Sequence, residues 1–335
     1  MSENQIHERI RALFQNTYNA EIQSIEPITA AGSPRKYYRI HSSLPKSVIA
    51  CLGTNLEENK SFLYFSSFFS AHNLPVPQTL GSEQEPWLYL LEDCGSTDVL
   101  SAKKKFTDPQ IISLYKNIIQ DLIQFQLQGA DCDFSHCFVR NKFDTTAMKW
   151  DLYYFKYYYL KLSGADFNEQ KLEEDFDSLL SFLKQADSSF FMYRDFQARN
   201  ILLKENKRYY IDFQGAMQGP LQYDLASLLL QAKAQLSKST QTILKDFYFT
   251  EITKHISVSE SEFKAHYEGF AMIRILQTLG AYGFRGIIEQ KPHFISSIPH
   301  AVDNAREQIS KLSQIITLPY LTHILNHLPK ISPIA

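Results

Sequence analysis

Asp195 and Asn200 stand five residues apart in Tyr193-Arg194-Asp195-Phe196-Gln197-Ala198-Arg199-Asn200, and an Asp-Phe pair follows at Asp212-Phe213. Between them lie Ile201-Leu202-Leu203, the polar turn Lys204-Glu205-Asn206-Lys207, and Arg208-Tyr209-Tyr210-Ile211. That order predicts a loop followed by a β-hairpin, which returns Asp212 to the end where Asn200 leaves the loop. Three oxygen-bearing side chains would converge there. Such groups could hold a hard cation such as Mg²⁺, which takes a few protein oxygens and leaves its other positions to water and phosphate. The remaining carboxylate could take the proton of an incoming hydroxyl. Positioning, charge neutralisation and a base for the nucleophile are what phosphoryl transfer requires. The bland alternative is a surface hairpin with solvated acids.

The elements around these residues divide the chain by character. Residues 21–29, 35–42, 47–52, 77–82 and 86–92 read as short strands, with breaks at Gly32-Ser33-Pro34 and Leu44-Pro45. Thr54 and Glu57 are spaced as a capping box for a helix running to about His72, where Leu74-Pro75-Val76-Pro77 stops it. Beyond Asp93-Cys94-Gly95-Ser96 the pattern becomes helical. Thr107-Asp108-Pro109-Gln110 is a strong helix start, and helices are expected at 145–162, 169–186, 222–236, 238–255, 260–288, 299–313 and 318–327. The expected architecture is α+β: a small antiparallel-sheet lobe over 1–92, a hinge at 93–97, and a large, mostly helical lobe over 98–335. A ligand is expected between the lobes.

Composition excludes several classes. The 335 residues carry a formal charge of −2 with both signs well mixed, so neither a nucleic-acid stripe nor an acidic tail is present. No apolar run approaches the roughly 18 residues of a membrane span, and the N-terminus lacks the order of a secretory signal. Four cysteines in a chain of this length make no disulfide framework, and a reducing cytoplasm is the expected location. Cys132, His136 and Cys137 form a short cluster that reads as ordinary loop thiols or, alternatively, as part of a zinc site.

The 193–200 segment with Asp212-Phe213-Gln214 resembles the kinase signature H-R-D-L-x-x-x-N…D-F-G. The order of parts resembles the protein-kinase-like fold, and within it the aminoglycoside phosphotransferase and choline kinase family. Ser33-Pro34-Arg35-Lys36-Tyr37-Tyr38-Arg39-Ile40 and Gln197-Ala198-Arg199-Asn200 look like the bacterial anomeric kinases for N-acetylmuramate and N-acetylglucosamine. The resemblance implies ATP and Mg²⁺, with Asp195 as the base and Asn200 and Asp212 as metal ligands. It also implies a hinge from Glu92 to Cys94 that meets adenine through backbone groups. Gln197 and Arg199 would lie on the acceptor side. Asp224 would bond the catalytic-loop backbone or, alternatively, merely serve a helix start.

Three positions depart from the pattern. Tyr193 replaces the histidine and Gln214 replaces the glycine after Asp-Phe. The third-strand lysine motif falls on Val48-Ile49-Ala50-Cys51, which has no lysine. Phosphate-neutralising charge would then come from Arg35, Lys36 or Arg39, with Arg35 and Lys36 favoured, aided by the backbone amides of Gly32 and Ser33. Glu57 and Glu58 read as structural. The acceptor is least defined. The aromatic run Trp150-Asp151-Leu152-Tyr153-Tyr154-Phe155-Lys156-Tyr157-Tyr158-Tyr159 could cover a sugar face with Asp151 accepting from hydroxyls, or could be core. Three readings remain open. The first is a kinase acting on the anomeric hydroxyl of an amino sugar. The second is a kinase of choline, ethanolamine or an aminoglycoside. The third is an inactive nucleotide-binding scaffold.

Overall fold

The computed structural model describes residues 1–28 and 34–329, so Gly32 and Ser33 lie outside the described residues. In chain order the elements are α1 (Glu3–Thr17), β1 (Ile22–Ile28), β2 (Lys36–Ser42), β3 (Val48–Leu52), α2 (Leu56–Ala71), β4 (Thr79–Ser82) and β5 (Leu88–Glu92). There follow α3 (Val99–Ala102), α4 (Asp108–Gln128), α5 (Thr145–Phe155), α6 (Glu169–Leu183), β6 (Phe190–Met192), β7 (Ile201–Lys204), β8 (Lys207–Tyr210) and β9 (Met217–Gly219). The last are α7 (Leu221–Leu229), α8 (Lys238–Ile252), α9 (Glu260–Tyr282), α10 (Pro292–Ile295), α11 (Ile298–Leu312) and α12 (Pro319–Asn326).

Packing separates two compact units. The first comprises Met1–Lys105, Asp131–Asn141 and Arg199–Ala216, and the second comprises Phe106–Ala130, Lys142–Ala198 and Met217–Ala335. The division falls inside the loop read above, between Ala198 and Arg199.

The first unit is built on an antiparallel sheet of order β1-β2-β3-β5-β4. Ser2 and Gln5 close a capping box at the start of α1. Ile6, Ile10, Leu13 and Phe14 recur at helical spacing, so they form one apolar face. That face packs on Tyr38, Ile40, Val48, Ala50, Leu88 and Leu90, the alternate residues of three strands. Helix α2 starts one residue later than its capping signal suggests. Asn55, rather than Thr54, accepts the N–H groups of Glu57 and Glu58, so Glu57 closes no capping box with Thr54. In the loop after α4, the His136 ring stacks on Tyr64 at 4.0 Å between centroids. Burial pushes the Cys132 and Cys137 thiols up to about 12.

The second unit is mostly helical. Helix α4 starts at the expected place, with proline in its first turn, and Thr107 and Gln110 form a capping box there. Three helices are shorter than their apolar patterns imply, among them α5, which passes into a π-turn over Lys156–Leu160. Helix α7 ends at Leu229, and a short 3-10 turn over Ala232–Ala234 precedes Gln235 in the left-handed region at φ 45°. Helix α9 passes at Gly283 into a wider π-turn, Gly283–Ile288. A Cβ at Gly283 would stand 1.8 Å from the Tyr158 carbonyl oxygen. Only glycine allows that backbone approach.

Candidate active site

In the second unit, the loop leaving β6 is held from below by a carboxylate. Asp224, in the first turn of α7, accepts the backbone N–H of Tyr193 at 2.6 Å and of Arg194 at 2.8 Å. Arg194 turns through the left-handed region at φ 74°, a strained setting for a residue with a side chain. Two charge-assisted bonds to its flanking amides help hold that turn. Burial pushes the Asp224 carboxyl up to about 7, against the downward pull of the two N–H groups and of Arg274.

The loop is also fixed laterally. The Arg194 guanidinium donates to both oxygens of Asp151, at 2.6 and 3.3 Å, and the Tyr223 hydroxyl donates to the same carboxylate at 3.1 Å. Asp151 is buried. Expected among acceptor contacts, its carboxylate is here engaged inside the unit as the anchor of Arg194. Trp150, Tyr157 and Tyr158 of the neighbouring aromatic run are exposed, while Leu152, Phe155 and Tyr159 are core.

Asp195 itself keeps 38% of its side chain accessible, and its Oδ1 accepts from Nη2 of Arg274 at 2.9 Å. Arg274 is buried in α9 and donates its Nη1 to Gln277 at 2.8 Å. Its protonated form is reinforced against burial by Tyr223 and Asp195. Sequence reading missed Arg274. The signal available was a single cation inside the apolar stretch Phe270–Leu279, since a buried guanidinium requires an acid. Gln197, also buried, lines a small pocket beside Arg274, and the Ala198 N–H donates to Gln231 Oε1 at 3.0 Å.

In the first unit, β7 and β8 form the expected hairpin with Ile201 opposite Tyr210 and Lys204 opposite Lys207. Glu205 and Asn206 both lie at positive φ, 51° and 62°. That is the primed turn favoured by two-residue hairpins. At the open end, the Ile211 N–H donates to the Asn200 carbonyl at 3.0 Å. Asn200 Nδ2 donates to Asp212 Oδ2 at 3.1 Å, and Gln214 Nε2 donates to Asp212 Oδ1 at 2.8 Å. The structure thus brings Asn200 and Asp212 together. Phe213 anchors them by stacking on Phe62 of α2, 4.9 Å between centroids. Arg199, next to Asn200, is exposed.

The three second-strand cations have separate settings. Arg35 is buried, with its Nη2 3.1 Å from Glu58 on α2, and lies near the Phe62 ring. Cys51, at the position of the absent lysine, is buried, and its Sγ donates to the Tyr89 hydroxyl at 3.0 Å. Tyr37, Cys51 and Tyr89 face one another across β2, β3 and β5, and all three line the surroundings of Arg35. Glu58, read from sequence as structural, is therefore the partner of a buried arginine. Lys36 falls on the opposite strand face, 54% exposed, 3.7 Å from Glu3 of α1. A cation so placed is screened by water, which favours Arg35 of the two for the phosphate role. Arg39 donates to Asp93 at 2.6 and 3.3 Å.

Asp93 organises the segment after β5. It accepts also from the Ser47 hydroxyl at 2.6 Å and the Gly95 N–H at 2.9 Å, and these bonds hold its carboxyl below the usual range despite burial. Lys204 Nζ donates to the Asp93 carbonyl, and Tyr209 reaches Glu92 Oε1 at 3.5 Å. Cys94 is buried, and burial pushes its thiol well up. The side chains of this segment are thus directed at the protein.

Asn200 and Asp212 fit a hard divalent cation: one anionic and one neutral oxygen donor, side by side and oriented by hydrogen bonds. Among the described residues, no group of three or more His, Cys, Asp or Glu side chains could hold a metal alone. A cation here would take its other ligands from phosphate oxygens and water.

Comparison with known proteins accords with this arrangement. The sequence model of the Phosphotransferase enzyme family matches residues 24–250. The chain is 24% identical to an N-acetylmuramate/N-acetylglucosamine kinase of Neisseria meningitidis, over 85% of each chain. It is 22% identical to a protein of the same name from Pseudomonas putida, over 93% of each. Among solved structures, an amicoumacin kinase in complex with AMP-PNP and Ca²⁺ superimposes with a TM-score of 0.67 at 11% identity, covering 97% of both chains. A choline kinase from Cryptosporidium parvum gives 0.58 at 11% identity, covering 91% of this chain and 94% of its own. The solved structures share the protein-kinase-like fold. No helix among the described residues is long and apolar enough to cross a membrane. The chain belongs to the Phosphotransferase enzyme family and is an ATP-dependent small-molecule kinase.

Proposed function

We propose that this kinase transfers the γ-phosphoryl group of Mg²⁺-ATP to the anomeric hydroxyl of an amino sugar of the N-acetylmuramate/N-acetylglucosamine type. The observation that carries the reading is the Asp195 carboxylate, accessible yet fixed by the buried Arg274 on a loop pinned by Asp224. The names of the relatives from Neisseria meningitidis and Pseudomonas putida support the acceptor class.

In this reading Asp195 orients the acceptor hydroxyl and takes its proton as the phosphoryl group transfers. Arg274 holds the carboxylate at Oδ1, which limits its rotation. The Asp224 contacts fix the loop backbone and so the distance from which the base acts. Asn200 and Asp212 would hold the divalent cation, which when bound neutralises charge on the nucleotide phosphates. Arg35 would supply the charge that a third-strand lysine supplies in related kinases, with Glu58 positioning its guanidinium. The segment Glu92–Cys94 would meet adenine through its backbone.

The test is ADP release with Mg²⁺-ATP against free amino sugars, their 1-O-methyl glycosides, choline and ethanolamine, with the product position read by phosphorus NMR. Turnover confined to sugars with a free anomeric hydroxyl is expected. Equal turnover of the blocked glycosides, or turnover of the amino alcohols alone, would reject the anomeric assignment.

A further inference from the structure

Strand alternation sorts the sheet of the first unit into two faces. Tyr38, Ile40, Val48, Ala50, Leu88 and Leu90 pack on α1, so Arg35, Tyr37, Cys51 and Tyr89 stand on the other face. Tyr37, Cys51 and Tyr89 are direct cross-strand neighbours there, and their polar ends form one cluster with Arg35. The Cys51 thiol donates to the Tyr89 hydroxyl at 3.0 Å. The Tyr37 hydroxyl accepts from the Arg35 guanidinium and reaches the Cys51 sulfur. Tyr89 is 1% exposed, whereas Tyr37 is only partly buried.

Helix α2 ties this cluster to Asp212 within the same unit. Glu58 holds Arg35 Nη2 at 3.1 Å, and Phe62, one turn on, stacks on both Tyr89 and Phe213 at 5.5 and 4.9 Å between centroids. The Ser61 hydroxyl donates to the Gln214 carbonyl at 3.3 Å. Burial and the neighbouring Cys51 thiol push the Tyr37 phenol well up, and the Asp212 carboxylate is near enough to add to the rise. The hydroxyl therefore keeps its proton. A phenol that accepts from a guanidinium still has that proton to give, and a thiol sulfur is a weak acceptor for it. Asp212 already accepts from Asn200 and Gln214. An anionic oxygen arriving beside Arg35 would be the stronger acceptor and would take a charge-assisted bond.

We infer that Tyr37 is a nucleotide-phosphate ligand, its hydroxyl donating to a phosphate oxygen that Arg35 holds at the same time. The inference rests on the proposed nucleotide roles of Arg35 and Asp212 and adds a neutral donor to them. A lysine on the third strand would bring charge and donor in one ammonium group. Here the two are divided along the second strand: Arg35 supplies the charge, and Tyr37, two residues on and on the same face, supplies a directed hydrogen bond. Tyr89 carries a hydroxyl of the same kind, but it is enclosed and engaged by Cys51, so it serves the cluster and not the ligand.

Binding without any acceptor present is the readout, so that it stands apart from turnover. Calorimetry with the full chain and Mg²⁺ would compare AMP-PNP with adenosine, which has no phosphate. Tyr37→Phe keeps the ring and removes the hydroxyl. It should weaken AMP-PNP by about tenfold or more, the effect of a hydrogen bond to a charged group, and leave adenosine within twofold. In an Arg35→Ala background the same substitution should still weaken AMP-PNP by about threefold or more, because a direct ligand does not act through the guanidinium alone. Circular dichroism checks folding, and Arg35→Lys serves as the background should the alanine variant not fold. Unchanged AMP-PNP affinity in Tyr37→Phe, an equal loss for adenosine, or a loss that vanishes in the Arg35 background would overturn the inference. Weakening by Arg35→Ala without weakening by Tyr37→Phe would reject Tyr37 alone. Unchanged affinity in both variants would reject the phosphate role of the whole face.

Discussion

The Arg35 guanidinium lies 3.1 Å from the Glu58 carboxylate, joining the start of β2 to the first turn of α2, while Cys51 occupies the third-strand position of the missing lysine. In the proposed reading this pair would stand in for the cation and acid that protein kinases place on the third strand and the following helix, with the cation coming from the strand before. Arg35→Ala should lower kcat/KM for ATP by about tenfold or more, about 1.4 kcal/mol of transition-state stabilisation. Arg35→Lys should recover part of it, and Lys36→Ala should remain within twofold. Steady-state kinetics at fixed acceptor gives the comparison. Parity between the Arg35 and Lys36 alanine variants would remove Arg35 from the phosphate site.

Asp195→Asn keeps the size of the side chain and removes the base. Loss of kcat by roughly 10² to 10⁴ is expected, the usual range for general-base catalysis. ATP affinity should stay within about twofold. A substantial fall in ATP affinity would mean that Asp195 serves the nucleotide instead.

Asp212→Ala should act through the metal. Nucleotide affinity, titrated calorimetrically over a series of Mg²⁺ concentrations, should fall by about tenfold or more at limiting Mg²⁺ and recover in part at excess. The expectation follows from a site that provides few protein oxygens and depends on each of them. Affinity independent of Asp212 at every Mg²⁺ concentration would contradict its assignment.

Asp224 predicts a dependence of stability on pH. Its folded value of about 7 lies above the unfolded value of 3.8, so the folded chain holds the proton more tightly. Its contribution is whole below the unfolded value and is lost as pH rises through the folded one, with a slope no steeper than about 1.4 kcal/mol per pH unit. Melting temperatures from pH 4 to 8 should therefore decline more steeply for the parent than for Asp224→Asn. The variant loses part of the acceptor for two N–H groups and should be less stable at low pH, with the gap narrowing toward pH 8. Parallel pH profiles would show that Asp224 does not titrate in this window.

The strands, the long helices and the 200–212 hairpin were legible because their signals are local: alternation, capping residues and a polar two-residue turn. Asn200 and Asp212 were legible for the same reason, since the hairpin itself fixes their separation. Arg194 and Asp151 are 43 residues apart, and Arg274 and Asp195 are 79 apart. No local pattern pairs such residues; the packing of α5, α7 and α9 does. Asp151 looked like a free acid on an aromatic helix, and Glu58 looked like a first-turn acid, because their partners come from distant elements. Asn55 took the capping role by accepting two N–H groups, and Glu58, at the third helical position, pairs with Arg35 instead of closing a capping box.

The β7–β8 hairpin also behaves as a ruler. Four paired residues on each strand and a two-residue turn set the span between Asn200 and Asp212. Strand pairing has a side-chain period of two, so inserting one residue on one strand would flip every side chain beyond it to the other face. Phe213 would then leave Phe62, and Asp212 would turn away from Asn200. Length changes compatible with the site therefore come in matched sets, equal on both strands, or are confined to the turn at Glu205-Asn206. The tip is open to lengthening and redesign, while the parity of the residues beneath it is fixed by the pair at the open end.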